Sequence, residues 1–228
     1  MHQTASLFVR LGIGGLALLV LVLFLAGVRR VWPELWRPVA LLTLAWVLGT
    51  AAAALSGVLR RFELRPPPFG LLLLGTLALG TLVGASPLGA RLARLPLWLL
   101  VLAQAFRLPL ELVMHAASLE GTMPEEMSYS GRNFDILTGA SALVVAVLLK
   151  RGAPPVIAQV WNALGAVLLL NVVTVAVAAS PLFKAFGNEP AHVNTFVASF
   201  PFVWLPAVLV CAALAGHVVI FRARRGTP

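Results

Sequence analysis

The chain has 228 residues, 60% of them hydrophobic and only 11% charged, against roughly 45–50% and 25% in an ordinary soluble domain. With a mean hydropathy of +0.96 and so few charges, a water-facing surface cannot be covered, which excludes a cytosolic enzyme, a nucleic-acid-binding domain and a disordered regulator. The formal charge of +9 sits in short clusters beside apolar runs, Arg29/Arg30, Arg60/Arg61, Lys150/Arg151 and Arg222/Arg224/Arg225, and so reads as anchoring at lipid headgroups.

A bilayer core of about 30 Å takes about 20 apolar helical residues. On that measure the sequence predicts one all-α bundle over residues 1–228, with about seven transmembrane helices at 7–28, 38–58, 69–85, 95–118, 134–149, 156–179 and 200–221. The first span is too long for the apolar region of a signal peptide and runs directly into Arg29/Arg30, so it reads as an uncleaved anchor. In the second and third spans, small residues four apart, Gly49/Ala53/Gly57 and Gly80/Gly84, predict close helix packing within the chain. Between them Arg65-Pro66-Pro67-Pro68 is a stiff helix stop and start. One side of the bundle would collect ten cations (Arg29, Arg30, Arg37, Arg91, Arg94, Lys150, Arg151, Arg222, Arg224, Arg225) and the other six (Arg10, Arg60, Arg61, Arg65, Arg132, Lys184). The positive-inside rule then predicts an external amino terminus and a cytoplasmic carboxyl terminus.

The fourth span carries Gln104, Arg107, Glu111, His115 and Ser118 at intervals of three or four, one stripe along a helix. Such a stripe must turn away from lipid, since a mid-membrane arginine costs at least about 2.5–3.5 kcal/mol. Arg107 and Glu111, four apart, are spaced to neutralise each other, either as a structural lock or as the charge of a polar pocket. Pro109 frees a backbone carbonyl in the same stretch. Glu111 and His115 also have the spacing of two helical metal ligands, with Asp135, His192, Glu189 or Glu120 as sources of a third for a divalent ion.

Two long polar connections, 119–133 and 181–199, are predicted to face outside. The fifth span opens with Gly131-Arg132-Asn133-Phe134-Asp135, in which Asn133 or Asp135 is placed to cap the helix and Asp135 to sit at the outer depth of His115. In the sixth span Gln159, Asn162, Asn171 and Thr174 fall within half the helix circumference and predict an inward face. The last span starts with aromatics and two prolines, Pro201 and Pro206, which prevent a regular start. His217 lies near its cytoplasmic end, roughly 24 Å in depth from His115 at 1.5 Å per residue, so the two cannot share a haem iron. The only cysteine, Cys211, rules out an internal disulfide or a thiolate cluster, and the last span holds no lysine for a retinal Schiff base.

From Gln104 onward the phrases QAFRLPLELVMHAASLEGTMPEEMSYSGRNFDILTG, WNALGAVLLLN, FGNEPAHVNTF and FPFVWLP resemble those of a family of uncharacterised bacterial inner-membrane proteins. The resemblance implies a bacterial inner membrane and a shared polytopic fold, and it carries no activity. Three functions follow from the residues. The first is a periplasm-facing polar pocket between the fourth, fifth and sixth helices, built from Gln104, Arg107, Glu111, His115, Asn133, Asp135, Asn162 and Asn171. It would bind or help translocate a small polar or anionic ligand. The second is a metal-dependent hydrolase or transferase acting on a lipid-type substrate, with Glu111, His115, Asp135 and His192 around the metal. The third is a structural subunit of a membrane complex.

Overall fold

A computed structural model describes residues 5–223. Arg224 and Arg225, counted above in the carboxyl-terminal cluster, lie outside the described residues. The fold is all-α, with no strand among the described residues. The helices are α1 (Leu7–Val31), α2 (Trp36–Leu55), α3 (Pro68–Ala85), α4 (Pro87–Leu92), α5 (Leu97–Leu102), α6 (Arg107–Leu119), α7 (Ile136–Lys150), α8 (Val156–Ala178) and α9 (Cys211–Ala223). A 3₁₀ turn, Ala103–Phe106, joins α5 to α6, and a π-helical turn, Leu205–Val210, leads into α9. Among the described residues six stretches are long and apolar enough to cross a membrane: α1, α2, α3, Leu97–Leu119, α8 and Leu205–Ala223. The seventh, α7, has 15 residues. Leu41, Leu42, Leu74 and Leu164 on their outer faces are each more than 60% exposed, a surface made for lipid. The chain is a multi-pass integral membrane protein.

Local chemistry sets the element ends. Ser6 accepts from Val9 N (3.3 Å) to cap α1, and Ser86 accepts from Gly89 N (3.2 Å) to cap α4. The proline run gives the expected start, with Pro67 extended and Pro68 opening α3. At the carboxyl side of α2, Gly57 takes φ +77, so it ends the helix and does not pack against one. Gly49 likewise faces open space. The second-span stripe is therefore not a packing motif. Gly80 and Gly84 are one: a Cβ on Gly80 would lie 2.8 Å from Cys211 O, and one on Gly84 would lie 2.6 Å from Val218 Cβ. This brings α3 onto α9, the central helix, which also packs against α5 and α8. The last span does start irregularly. Cys211 N–H bonds Pro206 O, five residues back, and Ala207 O accepts from Trp46 Nε1 at 2.9 Å, which holds α2 to the π-turn.

Contacts sort the connections to two ends of the bundle. At one end Arg91 lies over Trp32 (3.8 Å), Lys150 over Trp98 (5.1 Å), and Arg222 Nη1 donates to Gly84 O (2.5 Å). At the other, Ser6 N donates to Glu120 Oε2 (2.9 Å), His192 Nδ1 meets Glu126 Oε1 (2.7 Å) and Arg132 lies over Phe186 (5.0 Å). The connection between α6 and α7 does not stay at that end. Met123, Met127, Ser128, Asn133 and Asp135 are all buried, and a Cβ on Gly131 would collide with Glu125 O, so the loop folds down among the helices. It delivers Asp135 to the level of Arg107, about 12 Å deeper than His115 at eight residues and 1.5 Å each. The expectation that Asp135 shares the depth of His115 is thus corrected, and the shortness of α7 has its cause.

Candidate functional site

Arg107 is the largest fully buried side chain. Its Nε donates to Asp135 Oδ2 (2.5 Å), Nη2 donates to Asp135 Oδ1 and to Gly165 O (3.5 Å), and Nη1 meets His217 Nε2 at 2.7 Å. A guanidinium has no lone pair, so His217 Nε2 accepts, and Nδ1 carries the proton that goes to Asn162 Oδ1 at 2.8 Å. Asn162 Nδ2 in turn donates to His217 O (3.0 Å), and Gln159 Nε2 to Ile220 O (3.1 Å). The cluster needs close backbones: a Cβ on Gly165 would lie 2.9 Å from both His217 Cε1 and Thr138 Cγ2, and one on Gly139 would run into Arg107 and Leu108 main chain.

The predicted Arg107–Glu111 pair does not form. Among the described residues the ion pairs are Arg107–Asp135 and Arg61–Glu63, with a His192–Glu126 hydrogen bond besides. Arg107 turns toward α7 and α9, where a bidentate carboxylate and an imidazole engage three of its five N–H groups and the Gly165 carbonyl a fourth. Asp135 therefore does not cap α7 through its side chain. Asn133 does part of that work, its Oδ1 accepting from Asp135 N (2.9 Å), while its Nδ2 lies 2.9 and 3.0 Å from the Glu111 oxygens and 3.0 Å from Met127 O. Glu111, buried, thus keeps its carboxyl on an amide donor and makes no ion pair among the described residues.

The other candidates are dispersed. His115 bonds Ser128 Oγ through Nδ1 (2.9 Å) and stacks on Tyr129 with centroids 4.4 Å apart, while His217 belongs to the Arg107 network. His192 is held by Glu126, and Glu189 is exposed. Glu111, His115, Asp135 and His192 do not converge, and no group of three or more His, Cys, Asp or Glu placed to hold a metal occurs among the described residues. Asn171 is half-buried and donates to Arg132 O (2.7 Å), tying α8 to the loop, whereas Thr174 is exposed and bonds its own helix at Leu170 O. The inward polar face of the sixth span is therefore confined to Gln159 and Asn162. Gln104 is buried with Oε1 unpartnered, on the side of the helix away from Glu111's cleft.

Above the charged cluster lies a cleft of about 460 Å³. Its walls come from α3 (Leu73, Leu74) and α8 (Leu169, Val173), its floor from the π-turn and α9 (Leu209, Ala213), with Phe106 of the 3₁₀ turn and Leu110 and Met114 of α6 behind. Leu74, Leu182 and Phe183 line it and are themselves exposed, so it opens at the surface. Among the described residues only Arg107, Glu111, Asp135, Ser180 and Asn194 bring polar side chains to it. The expected polar pocket is an apolar one with a charged foot, and it lies mostly against α3, α8 and α9. Sequence patterning missed the apolar walls, which look like any lipid-facing stretch, and missed Gly139 and Gly165, whose small size was the available signal. No protein-family model matches the chain, and no curated protein or solved structure does.

Proposed function

We propose that the protein binds a lipid-type molecule whose apolar chain lies in the cleft and whose neutral hydroxyl or amine end meets Glu111. The observation that carries this reading is the composition of the cleft: hydrocarbon walls of ligand-pocket size ending on a carboxyl that has an amide donor but no ion pair among the described residues. Asp135 already neutralises Arg107, so the foot attracts hydrogen-bond donors and cations, and an anionic head would meet Glu111 and Asp135 unfavourably. The resemblance to bacterial inner-membrane proteins and the ten-to-six charge count support a bacterial inner membrane, with the cleft mouth at Leu182 and Phe183 on the periplasmic side.

Displacement of a fluorescent lipid from purified protein tests this with three probes of equal chain length, hexadecanol, hexadecylamine and hexadecanoate. The alcohol and amine should compete several-fold better than the carboxylate. Glu111→Gln should erase the advantage of the amine, and Val173→Trp, which fills the cleft, should weaken all three. A wild-type preference for hexadecanoate, or no saturable competition by any probe, would overturn the assignment; the second result together with stoichiometric copurifying proteins would make the chain a structural subunit.

A further inference from the structure

At the opposite end of the bundle α1 and α5 part. Higher up, α1 presses on α6 so closely that a Cβ on Gly12 would lie 2.8 Å from Val113 Cγ2. Below that contact a groove of about 680 Å³ opens between α1 and α5, with α9 behind it. Its walls are hydrocarbon, including Leu23, Phe24, Leu99 and Ala103, and its polar side chains are Arg29, Arg30 and Gln104. A smaller cleft of about 210 Å³ adjoins it, sharing Arg30 and Leu95 and adding Arg91 and Arg94.

Two features mark this groove as a binding site. First, four guanidinium groups gather at its mouth, and among the described residues no acidic side chain lines either cavity and none of the four makes an ion pair. Arg29 and Arg91 are positioned by stacking on Trp36 (5.5 Å) and Trp32 (3.8 Å). Second, Gln104 is 3% exposed, faces the groove, and its Oε1 has no hydrogen-bond partner, a polar group that a native interior does not leave idle.

We propose that this groove binds an anionic phospholipid, its phosphate among Arg30, Arg91 and Arg94 and one acyl chain between α1 and α5, with Gln104 as the polar contact inside. Guanidinium groups suit phosphate oxygens, and the groove running on from them suits hydrocarbon and not a free ion. A second copy of the chain is a poor occupant, because a two-fold contact would set these arginines against their own copies. The site is separate from the cleft at Glu111, at the other end of the bundle.

Native mass spectrometry of the protein in mixed micelles with equimolar dioleoyl phosphatidylglycerol and dioleoyl phosphatidylcholine tests the proposal. The wild-type protein should retain the phosphatidylglycerol several-fold better. The double variant Arg30→Gln/Arg94→Gln should bring the two lipids to parity at an unchanged melting temperature, since neither side chain makes a hydrogen bond or stacks on a ring within the described residues. Ala103→Trp, at an exposed groove position, should lower retention of both. Equal retention by the wild type, a preference that survives the double variant, undiminished retention by Ala103→Trp, or complete displacement by inorganic phosphate would each overturn it.

Discussion

A buried arginine has five donors to satisfy and a full charge to balance, and Arg107 meets both demands with groups from three other elements: Asp135 before α7, Gly165 on α8 and His217 on α9. Removing either member of the Arg107–Asp135 pair strands the other in a low-dielectric site, so Arg107→Met or Asp135→Leu alone should each cost about 3–5 kcal/mol, and the double variant much less. A double-mutant cycle on unfolding in detergent reads this directly. The same cycle on Arg107 and Glu111 should show far weaker coupling, and equal coupling would put the ion pair back on one helix. The 3.6-residue period told that Gln104, Arg107, Glu111 and His115 avoid lipid, and all but half-buried His115 are buried. It could not tell which of them meet: spacing places side chains on a face, whereas pairing depends on what the rest of the chain brings to that face. Asp135 arrives from a loop whose polarity reads as aqueous, 28 residues away.

Among elements, close approaches are made where glycines face the main chain or a Cβ of another helix. Gly139 packs on the main chain at Arg107 and Leu108, and Gly84 on Val218, so Gly139→Ala and Gly84→Ala each force a backbone shift and should cost about 1–3 kcal/mol. Gly49→Ala, with nothing within 4 Å, should instead stabilise its helix by up to about 1 kcal/mol. Thermal unfolding of the three variants checks the order, and equal losses at all three positions would mean that packing is not what distinguishes them. All seven spans were legible because hydrocarbon thickness dictates helix length. The fifth lay at the edge of that rule, since its amino-terminal end lies inside the bundle beside Arg107. Gly49 and Gly80 illustrate the limit of small-residue spacing, which signals that a close approach is sterically permitted but not that a partner is there.

For the whole molecule, contacts place the amino-terminal end of α1 with the α6–α7 loop and the carboxyl-terminal end of α9 with Gly84 and Ser86 at the junction of α3 and α4. Combined with the charge count, this predicts that a cytoplasm-active reporter fused after Pro228 is bright and that a periplasm-active one is silent there but active when inserted at Gly121. The reverse pattern would invert the orientation and leave the fold unchanged. The order of synthesis gives the buried loop a further consequence. Arg107 leaves the ribosome 28 residues before Asp135 and 110 before His217, so it enters the insertion machinery with a charge that nothing yet balances. The α6–α7 loop, polar and destined for the interior, cannot settle until α8 and α9 are there to enclose it. The fold therefore predicts a nascent intermediate with an unmatched guanidinium, held in a wet or protein-lined environment until the last helix docks. A chain truncated before α9 would keep its hydropathy and most of its spans, yet remain in that intermediate, open to membrane quality-control proteases.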